Sequence, residues 1–209
     1  GTPADMAPAD FTAILQTIRS RFAVADDVDV TCEAHPESFA GDRGSELSAF
    51  LRDHGINRVS IGSQSLDPQV LALCTRRHSA DATERALDLL GESGIWANLD
   101  MMFGLPGQTL ASVERDLAML DRLRPDEINY QRHALVNPRA TRLYREHPEY
   151  LVERDEYFAM ALAVRAWLWQ RGYEQDGSFT RTSGVNPYRN QWLRGRPYWA
   201  FGNRAHGHL

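Results

Sequence analysis

The chain has 209 residues, of which 43% are hydrophobic and 24% charged, and its net charge is −5. This length suits one domain with a full core, but it is short for a closed eight-stranded α/β barrel of about 250 residues. All 23 basic residues are arginine, which excludes a lysine Schiff base, a pyridoxal-phosphate anchor and a P-loop lysine.

The number of cysteines and the hydropathy of the chain exclude further classes of protein. Cys32 and Cys74 are too few for a disulfide scaffold and form no CxxC pair. No apolar run approaches the roughly 20 residues of a membrane span, and no signal peptide is recognisable. These features predict a cytoplasmic protein without a membrane partner. Because the net charge is negative and no RNA-binding motif occurs, a nucleic-acid partner is not expected either.

Helix and strand patterns alternate along the first 132 residues. The chain opens with a helix, and the predicted strands are 28–33, 58–63, 95–103 and 127–132. The helices between them end at Gly55, near Gly94 and before Pro125. Such strand–helix repeats indicate βαβ units and a parallel sheet. Right-handed crossovers place the helices on one side if the sheet curls into a barrel, and on both sides if it stays open.

The pattern changes after Pro138. Residues 157–169 are apolar nearly all round, which predicts a helix buried on most sides. Residues 171–209 carry six arginines against two acidic residues, interleaved with seven aromatic residues. We therefore divide the chain into a sheet-forming part, 1–137, and an Arg- and aromatic-rich C-terminal accessory region, 138–209.

Polar residues cluster at the ends of the predicted strands, where parallel α/β folds bind ligands. They are Glu33, Gln64 and Asp100, the last followed by the turn 104–107. Taken singly, Glu33 is as typical of a helix cap, Gln64 of a loop residue that bonds to backbone, and 104–107 of a simple turn. Asp100 lies within an apolar strand, so it needs a partner.

Together these residues predict a polar ring suited to a ligand that carries a diol, an ammonium group and a carboxylate. Arg76 follows Gln64 by twelve positions and could pair with that carboxylate through two hydrogen bonds.

The motifs carry a family resemblance. They are VSIGSQSL at 59–66, RRH at 76–78 and NLDMMFGLPGQT at 98–109, with looser matches at 1–3, 33–36, 172–175 and 198–206. This set resembles the oxygen-independent coproporphyrinogen oxidase branch of the radical SAM enzymes. The resemblance implies an α/β fold: a partial parallel (β/α)6 TIM-like barrel, incomplete at its N-terminal side, plus a mainly helical C-terminal extension. Residues 1–137 would hold barrel strands three to six.

The resemblance also implies a site for S-adenosylmethionine (SAM). Gly1 and Thr2 would meet the methionyl amino group, and Arg76 the methionyl carboxylate. The ribose and the methionyl polar groups would bind Glu33, Gln64 and Asp100, and the adenine would contact Met102 and Ala134.

One feature of that family is missing. Its chemistry requires a 4Fe–4S cluster on the three cysteines of a CxxxCxxC loop, and this sequence contains no such loop. Because the family's loop precedes the glycine-rich turn that Gly1 resembles, we expect the chain to be the C-terminal part of a larger enzyme and inactive alone. The alternative is a lineage that has lost its cluster.

The implied function is that of the SAM-binding part of an enzyme that generates a 5′-deoxyadenosyl radical for hydrogen abstraction, fed by an external electron donor. The substrate would be a tetrapyrrole, for oxidative decarboxylation, or an aromatic natural product, for methylation or cyclopropanation. The alternative is a non-catalytic haem- or SAM-binding protein. The aromatic tail could bind a porphyrin or simply pack. His206 and His208 are weak indicators of a metal, and no metal ligand is predicted.

Overall fold

The computed structural model describes residues 2–133, 138–176, 178–180, 197–202 and 207. Its helices are α1 (Pro8–Arg21), α2 (Arg43–Asp53), α3 (Pro68–Leu73), α4 (Ala80–Glu92), α5 (Leu110–Leu123), α6 (Pro138–Glu146) and α7 (Arg154–Gln170). Its strands are β1 (Thr31–Ala34), β2 (Arg58–Gln64), β3 (Trp96–Phe103), β4 (Glu127–Arg132), β5 (Glu174–Asp176) and β6 (Ser178–Thr180). None of the described helices is long and apolar enough to cross a membrane.

The strands form one mixed sheet in the order β1-β2-β3-β4-β6-β5. The first four are parallel and follow the chain order, as the strand–helix repeats predict. The antiparallel hairpin of β5 and β6 extends the sheet beyond β4. Sequence reasoning missed this hairpin because three-residue strands are too short to show a period-two pattern.

Helices α2, α4, α5 and α7 pack on one face of the sheet, the arrangement expected for a sheet that curls into a barrel. Alternate residues of the four parallel strands form a single apolar core with the sheet-facing sides of α2, α4, α5 and α7. At its centre lie Ile61, Leu99 and Ile128, which are fully buried and occupy paired positions on adjacent strands. This burial supplies the main driving force for the fold.

The other face of the sheet is polar, and it is called the inner face below. Side chains alternate between the two faces of a strand, and paired residues of parallel strands share a face. The inner face therefore carries this set of residues: Glu33, Arg58, Ser60, Gly62, Asn98, Asp100, Met102, Glu127, Asn129 and Gln131. A polar face opposite the helices is what a ligand-binding barrel interior requires.

The apolar helix predicted over 157–169 forms, as α7, but its burial was predicted wrongly. One side of α7 packs on the core through Met160, Val164 and Leu168. The opposite side exposes Phe158, Leu162 and Trp169, the last at 83%. Apolar residues around the whole of a helix therefore do not show which of its faces is buried, because burial depends on what the helix contacts.

Two glycines in helices are expected to respond to alanine in opposite directions. A Cβ on Gly44, in α2, would lie 2.2 Å from the carbonyl oxygen of Phe39, whereas a Cβ on Gly91, in α4, would meet nothing within 4 Å. We expect Gly44→Ala to lower the free energy of unfolding by about 1–3 kcal/mol through overpacking. Gly91→Ala should raise it by about 0.5–1 kcal/mol because alanine is the better helix former. Denaturant titration of both variants checks this, and equal changes would contradict the packing at Gly44.

Candidate functional site

Asp100 is the polar centre of the inner face. Its Oδ2 accepts a hydrogen bond from Ser60 Oγ (2.9 Å), and its Oδ1 accepts from the Nδ2 atoms of Asn98 (2.9 Å) and Asn129 (3.0 Å). An ionised carboxylate offers about four acceptor positions. Three donors on β2, β3 and β4 therefore fix its orientation and leave one position, on Oδ2, for a ligand.

Gln64 ends β2 in a conformation that is rare for a residue with a side chain. Its φ is 73°, in the left-handed region, and the pairing of β2 with β3 shifts register between Gly62 and Gln64. Such a conformation costs on the order of 1–3 kcal/mol and persists where the surroundings impose it. The side-chain amide of Gln64 forms no hydrogen bond with any residue that the structure describes. The sequence left open that this side chain bonds to the backbone of its loop, and no such bond is seen among the described residues.

Arg76 reaches the same place from the end of α3. The helix closes with hydrogen bonds from Thr75 N to Ala72 O and from Arg76 N to Leu71 O, with Thr75 in the left-handed region at φ 56°. This Schellman motif turns the chain back toward the sheet. Arg76 Nη1 then donates to the carbonyl oxygen of Gly62 at 2.8 Å.

Arg76 lies near Asp100 but forms no close ion pair among the described residues. No described carboxylate forms an ion pair with its guanidinium, and burial lowers the pKa of Arg76 from its usual value, although Cys74 and Asp100 oppose that shift. Gly62 pairs with Asp100, and a Cβ on Gly62 would lie 3.3 Å from Gln64 Nε2 and 3.9 Å from Arg76 Nη1. Three of the predicted site residues therefore meet around a glycine, where the missing side chain lets a ligand approach the backbone.

Two more predicted residues lie on the same face. Glu33 pairs with Ser60 and is exposed. It caps no helix, because the Nδ1 atom of His35 instead accepts from Glu37 N (3.3 Å) in the turn that follows β1. Met102 is half-buried and lies two residues beyond Asp100 on β3.

Thr2 is the other predicted residue that the structure describes, and it forms no hydrogen bond with this cluster. Thr2 precedes a 3-10 turn, Pro3–Asp5, that packs beside β1, and its carbonyl oxygen accepts from Asp5 N at 3.0 Å. Gly1 and Ala134 lie outside the described residues, as do His206 and His208. Their roles stay predictions.

Two histidines beside Arg76 have lowered pKa values. The rings of His35 and His78 meet edge-on with centroids 4.8 Å apart. Burial, then the neighbouring His35 and Arg76, lowers the pKa of His78 to about 4, and burial followed by Arg76 lowers that of His35. Both shifts disfavour the charged form of the histidines, which suits a site for a cationic ligand.

Sequence reasoning missed the three donors that hold Asp100. Asn98 lies within the motif at 98–109, Ser60 pairs with Asn98 across β2 and β3, and Asn129 pairs with Asp100 across β3 and β4. The signal was available, because residues two apart on a strand share a face and both Asn98 and Asp100 are polar within an apolar run. Which residue of β4 would pair with Asp100 was not readable, because register depends on the packed sheet.

The cysteines do not form a cluster site. Cys32 lies in the apolar core, and burial raises its pKa to about 12, while burial raises that of Cys74 to about 11. An iron–sulfur cluster needs more cysteine ligands than the two that this sequence contains. Within the described ranges, no group of three His, Cys, Asp or Glu side chains is placed to hold a metal ion.

A parallel sheet with helices on one face and polar residues at the carboxyl ends of its strands is the architecture of an α/β barrel. A family model described as Radical SAM superfamily matches residues 1–120. The chain therefore belongs to the radical SAM superfamily, which confirms the resemblance read from the motifs.

Individual relatives agree with this membership. The chain is 29% identical over its whole length to "Heme chaperone HemW" of Mycobacterium tuberculosis, covering 54% of that protein. It is 33% identical to the "Oxygen-independent coproporphyrinogen III oxidase" of Bradyrhizobium diazoefficiens over 65% of this chain and 30% of that one. The solved structure of coproporphyrinogen III oxidase (HemN) from Escherichia coli matches with a TM-score of 0.80 at 24% identity, over 93% of this chain and 44% of that one. That match confirms the partial-barrel fold. The chain spans about half the length of the heme chaperone relatives it matches.

Proposed function

We propose that the inner face binds S-adenosylmethionine, with the methionyl carboxylate on Arg76. The observation that carries the proposal is the meeting of an unpaired guanidinium, an unbonded amide and an oriented carboxylate around Gly62. These three groups complement the carboxylate, the ribose hydroxyls and the ammonium of SAM. Membership of the radical SAM superfamily supports the same ligand.

The charge balance of the site agrees with this ligand. SAM carries two positive charges, on sulfur and on the amino group, and one negative charge. Glu33 and Asp100 lie on the inner face, whereas Arg76 is the cation at its rim. Asp100 and Gln64 would bind the ribose hydroxyls or the ammonium, and Glu33 would add a further acceptor. Gly1 and Thr2 are proposed for the methionyl amino group, and Met102 and Ala134 for the adenine.

The iron–sulfur cluster of the superfamily is not accommodated by the described residues, since the sequence has two cysteines and lacks the CxxxCxxC loop. The proposal for this chain therefore ends at SAM binding. For the whole protein we propose radical chemistry that begins with a 5′-deoxyadenosyl radical, needs an external electron donor and acts in the cytoplasm on a tetrapyrrole. Methylation or cyclopropanation of an aromatic compound is a further branch of the same proposal.

A second candidate for the whole protein is a haem-binding protein without oxidase activity. It is favoured by the relatives named heme chaperone, which match this chain over its full length. The two candidates share the SAM site and differ in whether the bound SAM is cleaved to 5′-deoxyadenosine. Anaerobic reconstitution of the full-length protein with iron and sulfide, followed by reduction with SAM, distinguishes them. Formation of 5′-deoxyadenosine supports the enzyme, while saturable haem binding without 5′-deoxyadenosine supports the second candidate.

The role of Arg76 is tested by comparing it with its neighbour. Arg77 is exposed and shows no described partner, so Arg77→Ala is a matched control for Arg76→Ala. A hydrogen-bonded charge contributes about 1.5–3 kcal/mol. We therefore expect calorimetry on the full-length protein to show SAM affinity lowered about 10- to 150-fold by Arg76→Ala and unchanged by Arg77→Ala. Equal affinities in the two variants would refute the carboxylate assignment.

A further inference from the structure

Gln64 is held in its left-handed conformation from both sides. On the N-terminal side, the carbonyl oxygen of Ser63 bonds to His78 Nε2 at 3.0 Å. The Ser63 hydroxyl lies 3.0 Å from Thr83 Oγ1 and donates to the carbonyl oxygen of Ser65 at 3.2 Å. Ser63, Thr83 and Ser65 are fully buried, so these bonds are shielded from water and constrain the backbone on which Gln64 sits.

On the C-terminal side, the constraint comes from one residue of α5. The Oδ2 atom of Asp116 accepts from Ser65 Oγ at 2.8 Å, and its Oδ1 accepts from Leu66 N at 3.0 Å. Ser65 Oγ in turn accepts from Asp67 N at 3.1 Å. The residues that immediately follow Gln64 are thus fixed to α5, which lies on the helix-covered side of the sheet.

Asp116 is an unusual residue for its position. It is fully buried on the face of α5 that otherwise carries Val113, Leu117 and Leu120. No ion pair is formed by its carboxylate within the part of the chain that the structure describes, because Arg115 pairs with Asp67 instead. Burial raises the pKa of Asp116 to about 6, against the hydrogen bonds that lower it. A buried carboxylate without a cation is costly.

We propose that Asp116 is a positioning residue for SAM binding, which holds the loop 65–66 so that Gln64 presents its amide to the ligand. The inference rests on the proposed function. It adds Asp116 to that proposal. Asp116 lies on the helix-covered side of the sheet, touches no ligand and acts only through Gln64.

The test is a double-mutant cycle on SAM affinity, measured by calorimetry with the reconstituted full-length protein. Asp116→Asn keeps the shape and one acceptor, and we expect it to lower SAM affinity about tenfold. In a Gln64→Ala background, Asp116→Asn should have no further effect, because its effect passes through the Gln64 side chain. Glu114→Gln, an exposed change two residues earlier on α5, is the control and should leave affinity unchanged in both backgrounds.

A second variant covers the case in which Asp116→Asn fails to fold. Ser65→Ala removes only the hydroxyl bonds and should show the same coupling with Gln64→Ala. The inference is overturned if either variant lowers affinity equally in both backgrounds, as a general loss of structure would, or if neither changes it. Absence of SAM binding by the unaltered protein would instead overturn the proposed function, and the inference with it.

Discussion

Asp100→Ala is expected to lower the affinity of the full-length protein for SAM by about 10- to 150-fold, the equivalent of one hydrogen-bonded charge at about 1.5–3 kcal/mol. The ligand would lose the remaining acceptor position of Oδ2. In addition, the donors Ser60, Asn98 and Asn129 would lose their common acceptor and would no longer share one arrangement. The loss of affinity therefore combines a missing contact with a disordered site.

The measurement is a calorimetric titration with SAM beside Asp88→Ala, which removes an exposed aspartate of α4. Asp88→Ala should bind as the unaltered protein does. Asp100→Asn adds a finer comparison, because it keeps the volume of the side chain but turns an NH2 group toward a donor. An Asp100→Ala variant that binds SAM as tightly as Asp88→Ala does would show that the inner face is not the site.

The largest effect on stability is expected from Glu127→Gln. Glu127 and Arg58 form a two-bond ion pair on the inner face, with Nε–Oε2 at 3.1 Å and Nη2–Oε1 at 2.9 Å. Glu127 is fully buried and Arg58 nearly so. Breaking a buried pair by removing one partner costs about 3–5 kcal/mol, because the other charge remains buried and uncompensated.

For a chain of this size, each kcal/mol corresponds to about 2–4 °C in the melting temperature. We therefore expect Glu127→Gln to lower it by about 6–20 °C in calorimetric or circular dichroism melts. The control is Glu84→Gln, which breaks the exposed pair with Arg122 (3.0 Å) and should cost less than about 1 kcal/mol. Similar shifts for the two variants would mean that the buried pair contributes no more than a surface one.

Much of the sheet and the placement of several candidate-site residues were readable from the sequence, because both depend on local pattern. The four parallel strands show as apolar runs, and β4 begins and ends where the sequence predicts. Gln64, Arg76 and Asp100 follow from strand ends and motif spacing, since the carboxyl ends of parallel strands share one edge. The start of β1 was predicted three residues early, at 28 instead of Thr31.

The residues that position the site were not readable, because they depend on tertiary contacts. Asp116 is hidden in the clearest amphipathic helix of the chain, where the leucine spacing dominates the pattern. The left-handed φ of Gln64 has no sequence signal, since glycine is the residue usually found there. The exposed side of α7 was missed for a related reason: apolar composition does not say what a helix face contacts.

The most direct test of SAM binding at the inner face is a crystal structure of the full-length protein grown with SAM. We expect the ligand on the inner face, with its carboxylate on the Arg76 guanidinium and its ribose or amino group within hydrogen-bond distance of Gln64 and Asp100. A ligand bound elsewhere, with Arg76 still bonded only to the Gly62 carbonyl oxygen, would contradict the proposed site.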